Sequence, residues 1–179
     1  MLIVFTGNGK GKTTAALGQA MRTVGRGKNI LMIQFIKGPW KSGEDFVEIM
    51  QKGNPSTGSG SPTFKLVKMG LGFVGILGDK LPKEEHAKAA KNALEYFKQK
   101  LPNWDMIILD EVNVAVSLGL LTVEEVLETV KNLSPERFVI LTGRGAPQEF
   151  IDRADLVTEM KEIKHPFNDG KLAKIAVEF

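Results

Sequence analysis

Leu2-Ile3-Val4-Phe5-Thr6-Gly7-Asn8-Gly9-Lys10-Gly11-Lys12-Thr13-Thr14 decides the fold. A short apolar run enters a glycine- and lysine-rich turn, and the turn opens into an Ala15-Ala16-Leu17…Ala20-Met21…Val24 stripe with helical spacing. Glycines at 7, 9 and 11 let the backbone curl with its N–H groups pointing inward, a concave nest for anionic oxygens. The helix behind adds its orphan N–H groups and the positive end of its dipole. Lys12 is placed to reach outer phosphates, and the Thr13 hydroxyl to ligate Mg²⁺. A strand before the loop and a helix after it are the context that separates a triphosphate cradle from an ordinary glycine turn. The usual pattern is G-x-x-x-x-G-K-[ST]; Thr6 stands where its first glycine belongs, and Gly7 and Gly9 supply the flexibility.

Outward from this loop, strands and helices alternate. Residues 29–36 read as a buried parallel strand, followed by a loop at 37–43 and a short helix at 44–50. Residues 53–62, rich in Gly, Ser and Pro, predict a flexible solvated loop. A strand at 64–69 leads into Gly70-Leu71-Gly72-Phe73-Val74-Gly75-Ile76-Leu77-Gly78, glycine-rich yet apolar, which lies either over the core or along an apolar ligand site. Residues 82–101 predict a helix with Ala87, Ala90, Leu94, Phe97 and Leu101 on one face, Pro82 in its first turn and His86 on its exposed surface. Residues 105–111 read as a buried strand ending in two acids, and Thr122-Val123-Glu124-Glu125 as a capping box for a helix reaching 133. A strand at 137–142, a Gly143-Arg144-Gly145 turn, a short helix at 147–153 and late strands at 155–163 and 173–179 follow. The alternation predicts an α/β fold, a mostly parallel sheet flanked by helices on both faces, in a single domain over 1–179.

Composition narrows the chemistry. At 42% hydrophobic and 25% charged over 179 residues, the chain has the balance of a soluble globular domain with a sizeable core. The net charge of +3 is mild and its lysines are interleaved with acids, so no nucleic-acid partner is expected. No cysteine is present, which removes disulfides, thiolate ligands and a thiol nucleophile together. With only His86 and His165, a zinc site or a Ser-His-Asp triad is poorly supported; His165 reads as structural rather than as a base. The first strand leaves no room for a signal peptide and no apolar run approaches spanning length, so a cytoplasmic protein without a membrane partner is expected.

Ligands of open α/β sheets sit beyond the C-terminal strand ends. Asp110 and Glu111 lie at such an end, where a Mg²⁺-orienting acid is needed beside a phosphate loop. Arg144, flanked by glycines at another strand end, is read either as reaching the ligand crevice or as a surface arginine.

Together these blocks resemble the P-loop corrinoid adenosyltransferases. The likeness rests on the stretch from Phe5 to Ala16 with its displaced glycine. It is reinforced by Gln34-Phe35-Ile36-Lys37-Gly38, Leu109-Asp110-Glu111, Leu141-Thr142-Gly143-Arg144-Gly145, Ala154-Asp155, and Lys164-His165 with Phe167 and Gly170. The resemblance implies a RecA-like P-loop fold, a homodimer, and MgATP held in reversed orientation. It implies that Co(I) of cobalamin or a precursor corrinoid attacks the 5′-carbon of ATP, that triphosphate leaves, and that an electron donor supplies Co(I) from Co(II). Because Co(I) is already a powerful nucleophile, no side chain has to be activated, which suits a chain without cysteine.

By position, the resemblance assigns ATP to Gly7, Asn8, Gly9, Lys10, Gly11, Lys12, Thr13 and Thr14, with Arg22 near the nucleotide. It assigns Mg²⁺ to Thr13, Glu111 and Asp110, catalytic roles to Lys12 and Glu111, and the corrinoid to Phe73 and Val74. Family members carry a second aromatic two residues after the first, typically tryptophan, to displace the lower axial ligand; here Gly75 occupies that place. Two rivals stand beside this reading. A P-loop kinase or ATPase is disfavoured by the five arginines, few for phosphoryl-transfer clamps. A non-enzymatic RecA-like binding module predicts a basic nucleic-acid surface that the sequence does not show.

Overall fold

In a computed structural model that describes residues 1–38, 40–49, 63–76, 78–174 and 177, the apolar runs become strands of one sheet. These are β1 (Leu2–Thr6), β2 (Ile30–Gln34), β3 (Phe64–Lys68), β4 (Met106–Asp110), β5 (Phe138–Thr142) and β6 (Leu156–Glu159). Their order is β3-β2-β4-β5-β1-β6, and every neighbouring pair is parallel. The strand that enters the phosphate loop, β1, and the strand that ends in acids, β4, are therefore not adjacent, because β5 lies between them. This α/β arrangement is consistent with a RecA-like P-loop domain.

Successive strand residues point to opposite faces, and the core divides accordingly. On one face Ile3, Ile30, Met32, Met106, Ile108 and Ile140 pack under Ala16, Ala20 and Val24 of α1 (Lys12–Val24). On the other, Leu2, Val4, Leu31, Ile33, Ile107, Leu109, Val139 and Leu141 are covered by four helices. These are α2 (Lys83–Lys100), α3 (Val112–Ser117), α4 (Val123–Val130) and α5 (Gln148–Arg153). Because all strands run the same way, the ends of β1, β2, β4 and β5 meet at one edge, where Gln34 is level with Asp110 and Phe5 with Thr142.

Several sequence expectations change. The stretch expected as a helix at 44–50 is a 3₁₀ turn at Gly43–Phe46, whose Glu44 and Asp45 pair with Lys37 and Lys68. The helix begun by the Thr122 capping box ends at Val130, not 133. The strand expected at 155–163 is confined to Leu156–Glu159, and residues 173, 174 and 177 of the last expected strand are not in strand conformation. The loop expected at 53–62 lies outside the described residues.

His86 is the largest correction. It is 3% exposed, not on the helix surface. The buried face of α2 runs His86, Ala90, Ala93, Phe97, a spacing of 4, 3, 4 that includes the histidine; Ala87 and Leu101 are only partly buried.

Candidate active site

The phosphate loop is held by what surrounds it. Gly7 and Gly11 adopt φ of 96° and 111°, the left-handed region that favours glycine. The loop also lies against the chain that follows β6: Gly9 N–H donates to Met160 O at 2.7 Å, and a Cβ on Gly7 would sit 2.4 Å from that same oxygen. Thr6, the residue in place of the usual glycine, is 7% exposed. Its hydroxyl accepts from Ala146 N–H at 3.1 Å and its carbonyl from Met160 N–H at 2.8 Å. Thr6 thus ends β1 and pins two neighbouring loops, while the turn itself starts one residue later.

Lys12 opens α1 directly behind Gly11. Its ammonium donates to Gly7 O at 2.9 Å and Gly9 O at 2.6 Å, which sets the charge in the mouth of the loop with a third proton to give. Burial lowers its pKa from the ordinary lysine value; Glu111 opposes that shift, and Arg144 and Lys10 add to it.

Asp110, at the end of β4, has no solvent exposure. Its Oδ1 accepts from Thr13 Oγ1 at 2.9 Å and Thr142 Oγ1 at 2.7 Å; its Oδ2 accepts from Gln34 Nε2 at 3.0 Å. Lys37 Nζ lies 3.9 Å from Oδ2 and pairs also with Glu44. The intervening strand β5 supplies Thr142, so it connects the phosphate loop to the acidic strand rather than merely separating them.

Glu111 caps α3 with φ 63° and ψ 20°, the only positive φ outside glycine among the described residues. Its N–H donates to Thr142 Oγ1 at 3.0 Å. Burial, then the charge of Asp110, push its pKa from 4.5 to about 7, against the pull of Lys12, Lys37 and Arg144. A strained residue placing an ionisable group in a cleft marks a functional position.

A cavity of about 880 Å³ opens over these residues. The loop from Gly9 to Thr14 lines it together with Glu111, Arg144 and Lys37, and Gly38, Trp40 and Phe73 extend the lining. Trp40 and Phe73 pair with ring centroids 5.7 Å apart and planes inclined by 34°. Their exposures of 63% and 45% leave aromatic surface facing outward.

Of the expected site residues, Gly9, Lys10, Gly11, Lys12, Thr13, Thr14, Phe73, Glu111 and Arg144 line this cavity. Asp110 sits behind it, and Gly7 lends its carbonyl to Lys12. Asn8 is exposed on the loop and is not part of the lining. Val74 packs against the core instead of sharing the cavity with Phe73. Arg22 lies exposed in the last turn of α1, about 15 Å along the axis from Lys12, and is not brought to the cavity. Residues given no role by sequence reasoning also join the site, among them Gln34, Thr142, Trp40 and Lys37. Their signals were polar ends on apolar strands and a large aromatic in a glycine-bearing loop.

A cavity of nucleotide size, joining a lysine-bearing glycine loop at a helix N-terminus to an acidic strand end, defines a P-loop nucleotide-binding protein. A family model described as ATP:corrinoid adenosyltransferase BtuR/CobO/CobP matches residues 1–179. The chain is 35% identical over 181 residues to a corrinoid adenosyltransferase of Escherichia coli (strain K12), covering 100% of this chain and 85% of the relative. It is 36% identical over 181 residues to corrinoid adenosyltransferase CobA of Salmonella typhimurium (strain LT2), with the same coverage. To a corrinoid adenosyltransferase of Pseudomonas aeruginosa it is 36% identical over 180 residues, covering 100% of this chain and 83% of the relative. The chain belongs to the ATP:corrinoid adenosyltransferase family. It is an enzyme that uses ATP to adenosylate a corrinoid, and the kinase and binding-module readings fall away. Among the described residues no helix is long and apolar enough to cross a membrane.

Proposed function

We propose that ATP lies with its phosphates in the Gly7–Thr14 loop and its 5′-carbon toward Trp40 and Phe73, where Co(I) of the corrinoid attacks. The observation that carries this reading is the continuity of one cavity from Lys12 to the aromatic pair. The cobalt electron pair forms the Co–C bond, the bond from the 5′-carbon to the phosphate oxygen breaks, and triphosphate departs with that pair. Holding the carbon against cobalt removes much of the entropic barrier. Lys12 and the N–H groups at the start of α1 stabilise the charge that collects on the leaving oxygen. Trp40 and Phe73 offer flat apolar surface to the corrin ring.

The donor set fits Mg²⁺. Thr13, Asp110 and Glu111 supply only oxygen, and the two acids are close enough that Asp110 raises the pKa of Glu111. Bound there with the phosphates, the ion supplies charge neutralisation for the leaving group. A homodimer, and a one-electron donor that generates Co(I) from Co(II), complete the proposal.

The test is direct. With strong reductant, MgATP and cobalamin, the absorbance of cobalt–carbon bond formation should rise while one triphosphate appears per adenosyl group transferred. ADP or orthophosphate without an adenosylated corrinoid would overturn this reading. Lys12→Ala should lower kcat by about a hundredfold or more, the scale for losing one charge-stabilising donor.

A further inference from the structure

We propose that His86 and Asp79 form a positioning pair that fixes the loop bearing Phe73 onto α2, so that the aromatic corner is set before a corrinoid arrives. This rests on the reading of that corner as the corrinoid seat. Asp79 gathers three donors on one carboxylate: Oδ2 accepts from Gly75 N–H at 2.8 Å and lies 3.0 Å from His86 Nε2, and Oδ1 accepts from Leu81 N–H at 3.0 Å. The two side chains are 2% and 8% exposed. By contrast Phe73, Ile76 and Leu81 around them are 45%, 58% and 46% exposed, so among the described residues of this stretch only Val74, packed against the core, adds apolar burial to hold it.

The hydrogen bonds from Gly75, then Leu81, hold the Asp79 carboxyl below its usual range, so the anchor is an anion at neutral pH. A smaller cavity of about 180 Å³ is lined by Asp79 and Lys80 together with Trp40 and Phe73. The anchored loop is thus a wall shared with the aromatic pair. Gly75, the donor to Asp79 and a residue with φ 70°, is also the position where the sequence lacks a second aromatic. His86 touches neither cavity lining and acts through Asp79.

The experiment compares wild type, His86→Ala and His86→Gln, the last keeping an N–H donor for Asp79. Loss of one hydrogen bond to a charged group should raise the KM for cobalamin about five- to tenfold in His86→Ala. The KM for ATP should stay within about twofold, and His86→Gln should recover most of the loss. Parallel rises in both KM values, no change in either, or failure of Gln to rescue would overturn the proposal.

Should His86→Ala not fold, Asp79→Asn serves, read by acrylamide quenching of tryptophan fluorescence without substrates. The two tryptophans, excited selectively over Tyr96, are Trp40 and Trp104, and the carbonyl of Trp104 is held by Arg137, away from this loop. Loosening the pair should increase quenching through Trp40; unchanged quenching would overturn it. Increased quenching in a protein whose wild type transfers no adenosyl group would remove the functional reading while leaving the anchor intact.

Discussion

Thr142 does more at the residue scale than its type suggests. One hydroxyl donates to Asp110 and accepts from Glu111 N–H, so it sets the buried acid and the strained one together. Thr142→Val keeps the shape and removes both bonds, leaving a buried carboxylate short of a donor. A loss of about 1–3 kcal/mol in unfolding free energy is expected, measured by urea titration, with weaker ATP binding in calorimetry. Glu111 gives a pH signature. Its pKa of about 7 in the fold lies above the ordinary 4.5, so between these values the folded protein holds a proton that the unfolded chain has released. Its contribution to stability is fully present below 4.5 and is lost as pH rises through 7. Without nucleotide, the urea midpoint of wild type should therefore fall more steeply over this range than that of Glu111→Gln. Parallel curves would show that the site does not perturb Glu111.

At the element scale, what was legible in the sequence was local. The start of α4 was readable because its signal is contained in four residues: Glu125 N–H donates to Thr122 Oγ1 at 3.1 Å, and Thr122 N–H to Glu125 Oε2 at 2.8 Å. Thr122→Ala should cost about 1 kcal/mol in unfolding free energy with kcat and both KM values unchanged, since α4 does not line the cavity. A change in KM would mean that α4 positions the site. The phosphate loop was legible for the same reason, with strand, glycines and helix N-terminus adjacent in sequence. His86 was misplaced because polarity outweighed periodicity: its position belongs to the buried stripe, and its partner, Asp79, lies in a loop whose path no local pattern determines. The reach of Arg22 failed on helix geometry, three turns being too far from the cavity.

At the scale of the molecule, the alternation of elements foretold a parallel sheet, but not the insertion of β5 between β1 and β4, because strand order is a non-local choice. That insertion is why Thr142 could not be assigned from sequence. A second non-local feature is the crossing of the loops after β2 and β3. A Cβ on Gly38 would sit 2.7 Å from the Cα of Gly72, and one on Gly72 would sit 2.8 Å from the Trp40 ring. Backbone therefore touches backbone at the point that carries Trp40 onto Phe73. Gly38→Ala must part the two loops, at a cost of about 1–3 kcal/mol for overpacking. The phosphate loop is built on β1 and α1, not on the two loops that cross, and should keep its affinity. The expected outcome is a raised KM for cobalamin, a KM for ATP within about twofold of wild type, and greater acrylamide quenching of Trp40. If ATP suffers as much as cobalamin, the phosphate loop and the aromatic pair move as one body, and the division of labour between them is wrong.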